Sequence, residues 1–203
     1  MKSSIAALLV LSTSILTSGM PVAEPTFGHA KSKASQLEDV WEHSKSPFKF
    51  TSVFKVVATP DQVVNGTTPV PGQEGAVGYF NFGFNSEQDV VCYNITLYGV
   101  TGAYQSPAIT ATHIHSAAKG ASGSPRIAFP NPVPVDGNLD GCAARVSIGC
   151  LSAPFVTGLN SSGIDTGSAS GFTIKQLEDN PSAYMADVHT TMFSLGAVRG
   201  QLA

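Results

Sequence analysis

His113 and His115 stand two residues apart in Thr112-His113-Ile114-His115. Alternate residues of a β-strand leave the same face, so both imidazoles can reach one point, an arrangement that serves a metal ion held by neutral ring nitrogens. His189 ends a second alternating segment and shares its face with Asp187 and Met185. On neighbouring strands, His113, His115 and His189 would form a three-imidazole set suited to copper or zinc. The same spacing also serves imidazoles that fix a loop by hydrogen bonds, so both readings stand at this point. His29 and His43 have no comparable neighbour.

Arg199 lies in Val198-Arg199-Gly200-Gln201-Leu202, among small and apolar residues. Such an Arg is expected to pair with a buried carboxylate or carbonyl, and Asp187 is a candidate partner. Beside a metal, the same guanidinium would steer an anion. There is no G-x-S-x-G, no pair of acids at a telling spacing and no Gly-rich phosphate loop between a strand and a helix. No catalytic residue is therefore assigned.

The elements that must position these groups are short strands. Phe50, Ser52 and Phe54 interleave with Thr51, Val53 and Lys55 in a first strand that runs on to Pro60. Val77 and Tyr79, followed by Phe80, Phe82 and Phe84, show a change of phase that predicts a bulge near Gly78. Val91, Tyr93, Ile95 and Leu97 alternate with Cys92, Asn94, Thr96 and Tyr98, the clearest strand in the chain. Further strands are predicted over 109–115, 126–129, 183–189 and 197–202, with 131–141 irregular. Thr173 followed by Gln176 reads as a capping box opening a short helix with Ile174 and Leu177 inward, ended by Asn180 and Pro181. The predicted fold class is mainly β, an antiparallel Greek-key sandwich of superoxide-dismutase or immunoglobulin type with one short helix.

Composition sets the setting. Among 203 residues only 12% are charged, and the net charge is −3, against roughly 25% charged in an ordinary soluble domain. No cluster of Lys and Arg is present to neutralise phosphates, so nucleic acid is not an expected partner. Lys2, the apolar run from Ile5 to Leu16, and Thr17, Ser18 and Gly19 read as a secretory signal peptide over 1–19, with a cut as late as 23. Residues 20–47 read as a flexible leader, with a short helix around Gln36 to His43 as the alternative, and the domain body as 48–203. The apolar run is too short to span a bilayer and no second one follows, so no membrane span is expected in the mature form. A secreted, extracellular protein is the expectation.

Export gives meaning to two further features. Cys92, Cys142 and Cys150 allow three pairings with one thiol left over. Asn65, Asn94 and Asn160 head Asn-x-Ser/Thr sequons, which a eukaryotic secretory pathway would glycosylate.

Thr112 to Gly120, Asn180-Pro181-Ser182-Ala183-Tyr184, Asp187-Val188-His189-Thr190 and Gly196 to Leu202 together resemble the CHRD domain, a family named for the repeats in chordin. The resemblance covers roughly 48–203 and implies a β-sandwich. It also implies a disulfide between Cys92 and Cys150, from Val91-Cys92-Tyr93 and Gly149-Cys150, which would leave Cys142 spare. It brings no established activity. The function it implies is that of a binding or structural module for an extracellular, cell-wall or matrix partner. A weaker resemblance, to copper/zinc superoxide dismutases, rests on the order His113, His115, His189 and Arg199. It offers a copper-dependent oxidoreductase as the alternative function, although no His lies between His115 and His189 to bridge a second metal.

Overall fold

The structure is a computed structural model that describes residues 49–139, 141 and 143–203. The signal segment, the leader with its helix, His29, His43 and Cys142 lie outside the described residues. In chain order the strands are β1 (Ser52–Ala58), β2 (Val64–Asn65), β3 (Thr68–Pro69), β4 (Val77–Asn85), β5 (Val90–Tyr98), β6 (Thr112–Ser116) and β7 (Pro125–Phe129). They continue as β8 (Val133–Pro134), β9 (Arg145–Ser152), β10 (Asn160–Ser161), β11 (Ile164–Asp165), β12 (Tyr184–Val188) and β13 (Val198–Gln201).

Two antiparallel sheets carry the fold, one ordered β1-β4-β5-β9-β8 and the other β13-β12-β6-β7. β4 and β5, β6 and β7, and β12 and β13 are sequential antiparallel pairs, whereas the chain changes sheet between β5 and β6, between β7 and β8 and between β9 and β12. This is the predicted Greek-key sandwich. Its core joins Phe80, Phe82 and Phe84 of β4 and Val91, Tyr93, Ile95 and Leu97 of β5 to Ile114, Ile127, Phe129, Ala186, Val188 and Val198 of the other sheet. Each fully buried Val, Ile, Leu or Phe contributes about 1.5–3 kcal/mol relative to exposure, so the period-two pattern of β4 and β5 fixes which faces meet.

The bulge predicted near Gly78 is absent: β4 pairs in unbroken register with both β1 and β5. Gly78 itself occupies the inward position, where a Cβ would come within 2.7 Å of the Phe80 ring, and Tyr79 faces out against Tyr98. The apparent change of phase arose because the inward residue at that point has no side chain. The register irregularity lies instead between Ile114 and His115, where β6 meets β7.

β6 begins at Thr112, later than the predicted start, and Ile109 is exposed. β9 was not anticipated, and a two-residue β8 interrupts the stretch read as irregular. The helix α1 (Ile174–Asp179) has the predicted capping box, with Thr173 accepting from the Gln176 backbone and Ile174 and Leu177 buried. Cys92 and Cys150 sit directly opposite each other on β5 and β9 and form the disulfide that the resemblance implied.

Candidate metal centre

The site lies on the face of β6 and β12 turned away from the sandwich core. Ile114 and Ala186 point into that core, so His113, His115 and Asp187 must leave the opposite face. Register places Asp187 across from His113 on one side and Arg199 on the other, and Met185 across from His115. His189 follows directly on β12, and its backbone N–H is held by the Ala111 carbonyl. The irregularity after Ile114 is the kind of feature that re-aims a side chain.

Three imidazoles and one carboxylate converge. Asp187 Oδ1 is 3.5 Å from His113 Nδ1 and 3.2 Å from His115 Nε2, while Oδ2 is 3.2 Å from His189 Nε2. One donor atom from each of the four residues lies within 4.8 Å of the others. Each ring also binds a backbone carbonyl through its far nitrogen: His113 Nε2 to Thr110 at 2.7 Å, His115 Nδ1 to Gly123 at 2.8 Å and His189 Nδ1 to Ser194 at 2.9 Å. A carbonyl only accepts, so those nitrogens carry the proton, and in the neutral rings the nitrogens facing Asp187 carry lone pairs.

That arrangement leaves an electrostatic debt. His113 Nδ1, His115 Nε2 and Asp187 Oδ1 are buried without a hydrogen-bond partner among the described residues. Burial alone would push the Asp187 carboxyl up, yet the imidazoles of His115 and His189 beside it outweigh burial and hold it well below the usual carboxylate range. Burial lowers His113 and outweighs the Asp187 carboxylate, keeping that ring neutral. At His189 burial also opposes protonation, but Asp187 and the Ser194 carbonyl prevail and raise its pKa. An anion beside three ring nitrogens calls for positive charge at that point, which a proton on His189 or a metal ion can supply.

The donor set fits copper or zinc. Tetrahedral zinc with arms of about 2.0–2.1 Å places its ligand atoms about 3.3–3.4 Å apart, close to the 3.2 to 3.5 Å separations around Asp187. A carbonyl behind each imidazole is the outer support that fixes tautomer and ring orientation in metal sites.

Of the two partner types expected for Arg199, a carboxylate or a carbonyl, the structure shows the carbonyl, and the candidate Asp187 is not its partner. Arg199 makes no ion pair among the described residues, and its Nη2 donates to the Ala118 carbonyl at 3.1 Å. Asp187 sits on the central strand of three, and the imidazole nitrogens rather than the guanidinium are its near neighbours. The sequence pattern identified the three His residues but not the centring role of Asp187, although its position on the face of His189 was the available signal. The sequon residues Asn65, Asn94 and Asn160 are exposed on β2, β5 and β10, and Asn65 follows Val64, which lines the cavity beside the cluster.

A protein-family model described as the CHRD domain matches residues 54–202. No curated protein and no solved structure matches the chain.

Proposed function

Because the chain belongs to the CHRD domain family, we propose that it serves as an exported extracellular module that binds one copper or zinc ion through His113, His115 and His189, with Asp187 as the accompanying carboxylate. The observation that carries this reading is the convergence of buried, unpartnered His113 Nδ1, His115 Nε2 and Asp187 Oδ1 on one point. Bound there, the ion would supply the positive charge that those atoms lack. The chain's own residues do the rest: three carbonyls orient the rings, and the imidazoles beside Asp187 favour its ionised form against burial. The cross-strand disulfide agrees with an oxidising compartment. The domain would engage an extracellular, cell-wall or matrix partner, with Asn65, Asn94 and Asn160 as glycan acceptors after export from a eukaryotic cell. An intact mass equal to that of the bare polypeptide would remove the glycan element.

The metal reading is tested by loading purified protein with copper or zinc, desalting it and measuring metal per chain. About one ion per chain is expected. His113→Ala should weaken retention by more than about 100-fold, since even outer supports of such ligands are worth roughly 10–100-fold. Metal retained equally by the variant contradicts the proposal. A copper oxidoreductase of dismutase type is the second reading, favoured by Arg199 lining the same cavity as His115 and His189. It requires superoxide removal by the copper-loaded protein, and a loaded protein without that activity leaves the binding module standing.

A further inference from the structure

The sheet containing β1, β4, β5 and β9 turns one face to the core and the other outward. Register aligns Val53, Gly83, Cys92 and Cys150 in one outward row, and Lys55, Asn81, Asn94 and Ile148 in the next. Val53 and Ile148 are each 68% exposed. The two rows wall a groove of about 610 Å³, in which Lys55, Asn81 and Asn94 are the charged or amide side chains. The rest of that surface is apolar, and the Cys92–Cys150 disulfide forms part of it.

Monomeric soluble proteins seldom expose a contiguous apolar patch larger than roughly a few hundred Å². A chain with only 12% charged residues has few groups with which to break one up. Asn94 stands exposed inside this groove, on β5 between β4 and β9, and it heads the sequon Asn94-Ile95-Thr96. Residues two apart on a strand are separated by about 6.8 Å along one face, and directly opposed Cβ atoms by about 4.5–5.5 Å. A first sugar on Asn94 therefore reaches Ile148 on the neighbouring strand and the disulfide one row away. Asn65 and Asn160 lie on two-residue strands outside this sheet and do not line the groove.

Resting on the glycan reading above, we propose that the Asn94 glycan is the cover of this face, its first sugars lying across Ile148 and the Cys92–Cys150 disulfide. Their C–H surfaces pack on the apolar groups and their hydroxyls face water. Attachment joins the Asn94 amide nitrogen to the anomeric carbon of the first sugar. The amide gives up one proton and the lipid-linked diphosphate that carried the sugar leaves, a donor that a eukaryotic secretory pathway supplies. The carbohydrate then provides the polarity that the outward residues of β1, β4, β5 and β9 lack, as glycans on protein surfaces do. It also keeps a second copy of the chain, and reductants, away from the face.

The test uses the full chain secreted from yeast cells. Sequon occupancy is read by peptide mass spectrometry, association by sedimentation, and access to the disulfide by its rate of reduction with thioredoxin. Asn94 should be occupied and the glycoprotein monomeric. Asn94→Gln and Thr96→Ala, which remove the sequon at different residues, should both form concentration-dependent dimers or larger species. Both should also lose the disulfide several-fold faster, because exchange depends on access to the sulfurs. Asn65→Gln and Asn160→Gln should behave as the parent. Stripping the folded glycoprotein with a peptide N-glycosidase should reproduce the change without a folding step, which keeps the test valid if a variant fails to fold. An occupied Asn94 whose glycan can be removed with association unchanged, or with the disulfide no easier to reduce, overturns the cover. A glycoprotein that already dimerises, and does so less after Ile148→Ser, has a second copy on the face and also overturns it. A bare Asn94 beside an occupied Asn65 or Asn160 overturns the cover alone. Three bare sequons remove the glycan element of the proposed function, and the cover with it.

Discussion

Asp187 holds the cluster together because it is the only buried carboxylate among the described residues, with three imidazole nitrogens at 3.2 to 3.5 Å. The spacing of His113 and His115 was legible because strand alternation is a local rule. The carbonyls of Thr110, Gly123 and Ser194 that orient the rings were not, because they belong to loops whose closure no local pattern encodes. Which of its expected partners Arg199 takes, the Ala118 carbonyl and not Asp187, was not legible for a related reason. Asp187 lies on a strand flanked on both sides, and pairing register alone does not say which neighbour's side chain comes nearest. If Asp187 accompanies a bound ion, Asp187→Asn should lower metal affinity by about 10-fold or more while the metal-free protein stays folded. Chelator competition measures this, and an unchanged affinity would make Asp187 a bystander.

Strands with apolar residues facing inward were readable, and strands with the opposite pattern were not. In β9, Arg145 and Ser147 face inward and Ile148 outward, which inverts the usual alternation. The inward groups find partners one by one: Arg145 Nη2 donates to the carbonyls of Gly102 and Leu139 and its guanidinium lies over the Tyr104 ring, while its Nε and Nη1 have no hydrogen-bond partner among the described residues, and Ser147 donates to the Pro130 carbonyl. β13 shows a similar limit. Its Gly200 lies where a Cβ would be 2.6 Å from the Val57 carbonyl oxygen and 2.6 Å from Val56 Cγ1, because the end of β1 crosses there and exchanges hydrogen bonds between Thr59 and Arg199. Gly200→Ala should therefore destabilise the fold by about 1–3 kcal/mol, the usual cost of overpacking, measured as a lower urea midpoint. An unchanged midpoint would mean that the two strands can separate freely.

The β10–β11 hairpin gives a pH-dependent prediction. Burial raises the Asp165 carboxyl, but the N–H groups of Gly167, Thr157 and Gly158 and the Thr157 hydroxyl outweigh it and lower the pKa. A carboxylate with a depressed folded pKa stabilises at neutral pH, and that contribution is lost as pH falls from about 4 through the folded value. The stability difference between the native protein and Asp165→Asn should be largest near neutral pH and should shrink below pH 4 in chemical unfolding. A difference that grows with acid would contradict the assignment.

At the scale of the molecule, the sandwich was readable from many short alternating segments, and the family resemblance from the segments around His113, His189 and Arg199. The disulfide ties together positions 58 apart in sequence. Closing a loop of that length removes unfolded-state entropy worth about 4 kcal/mol in the chain-entropy account. Replacing both Cys92 and Cys150 with Ala should therefore cost up to about 4 kcal/mol of unfolding free energy, and no measurable loss would show that the bridge does little for the fold. One of the two sheets that bury the core pairs β6 directly with β12, and the cluster depends on that adjacency. The most direct test is an anomalous difference map from crystals of the zinc- or copper-loaded protein. The account predicts one peak within bonding distance of His113 Nδ1, His115 Nε2 and His189 Nε2, and fully loaded crystals with no peak there, or with the ion held elsewhere, would contradict it.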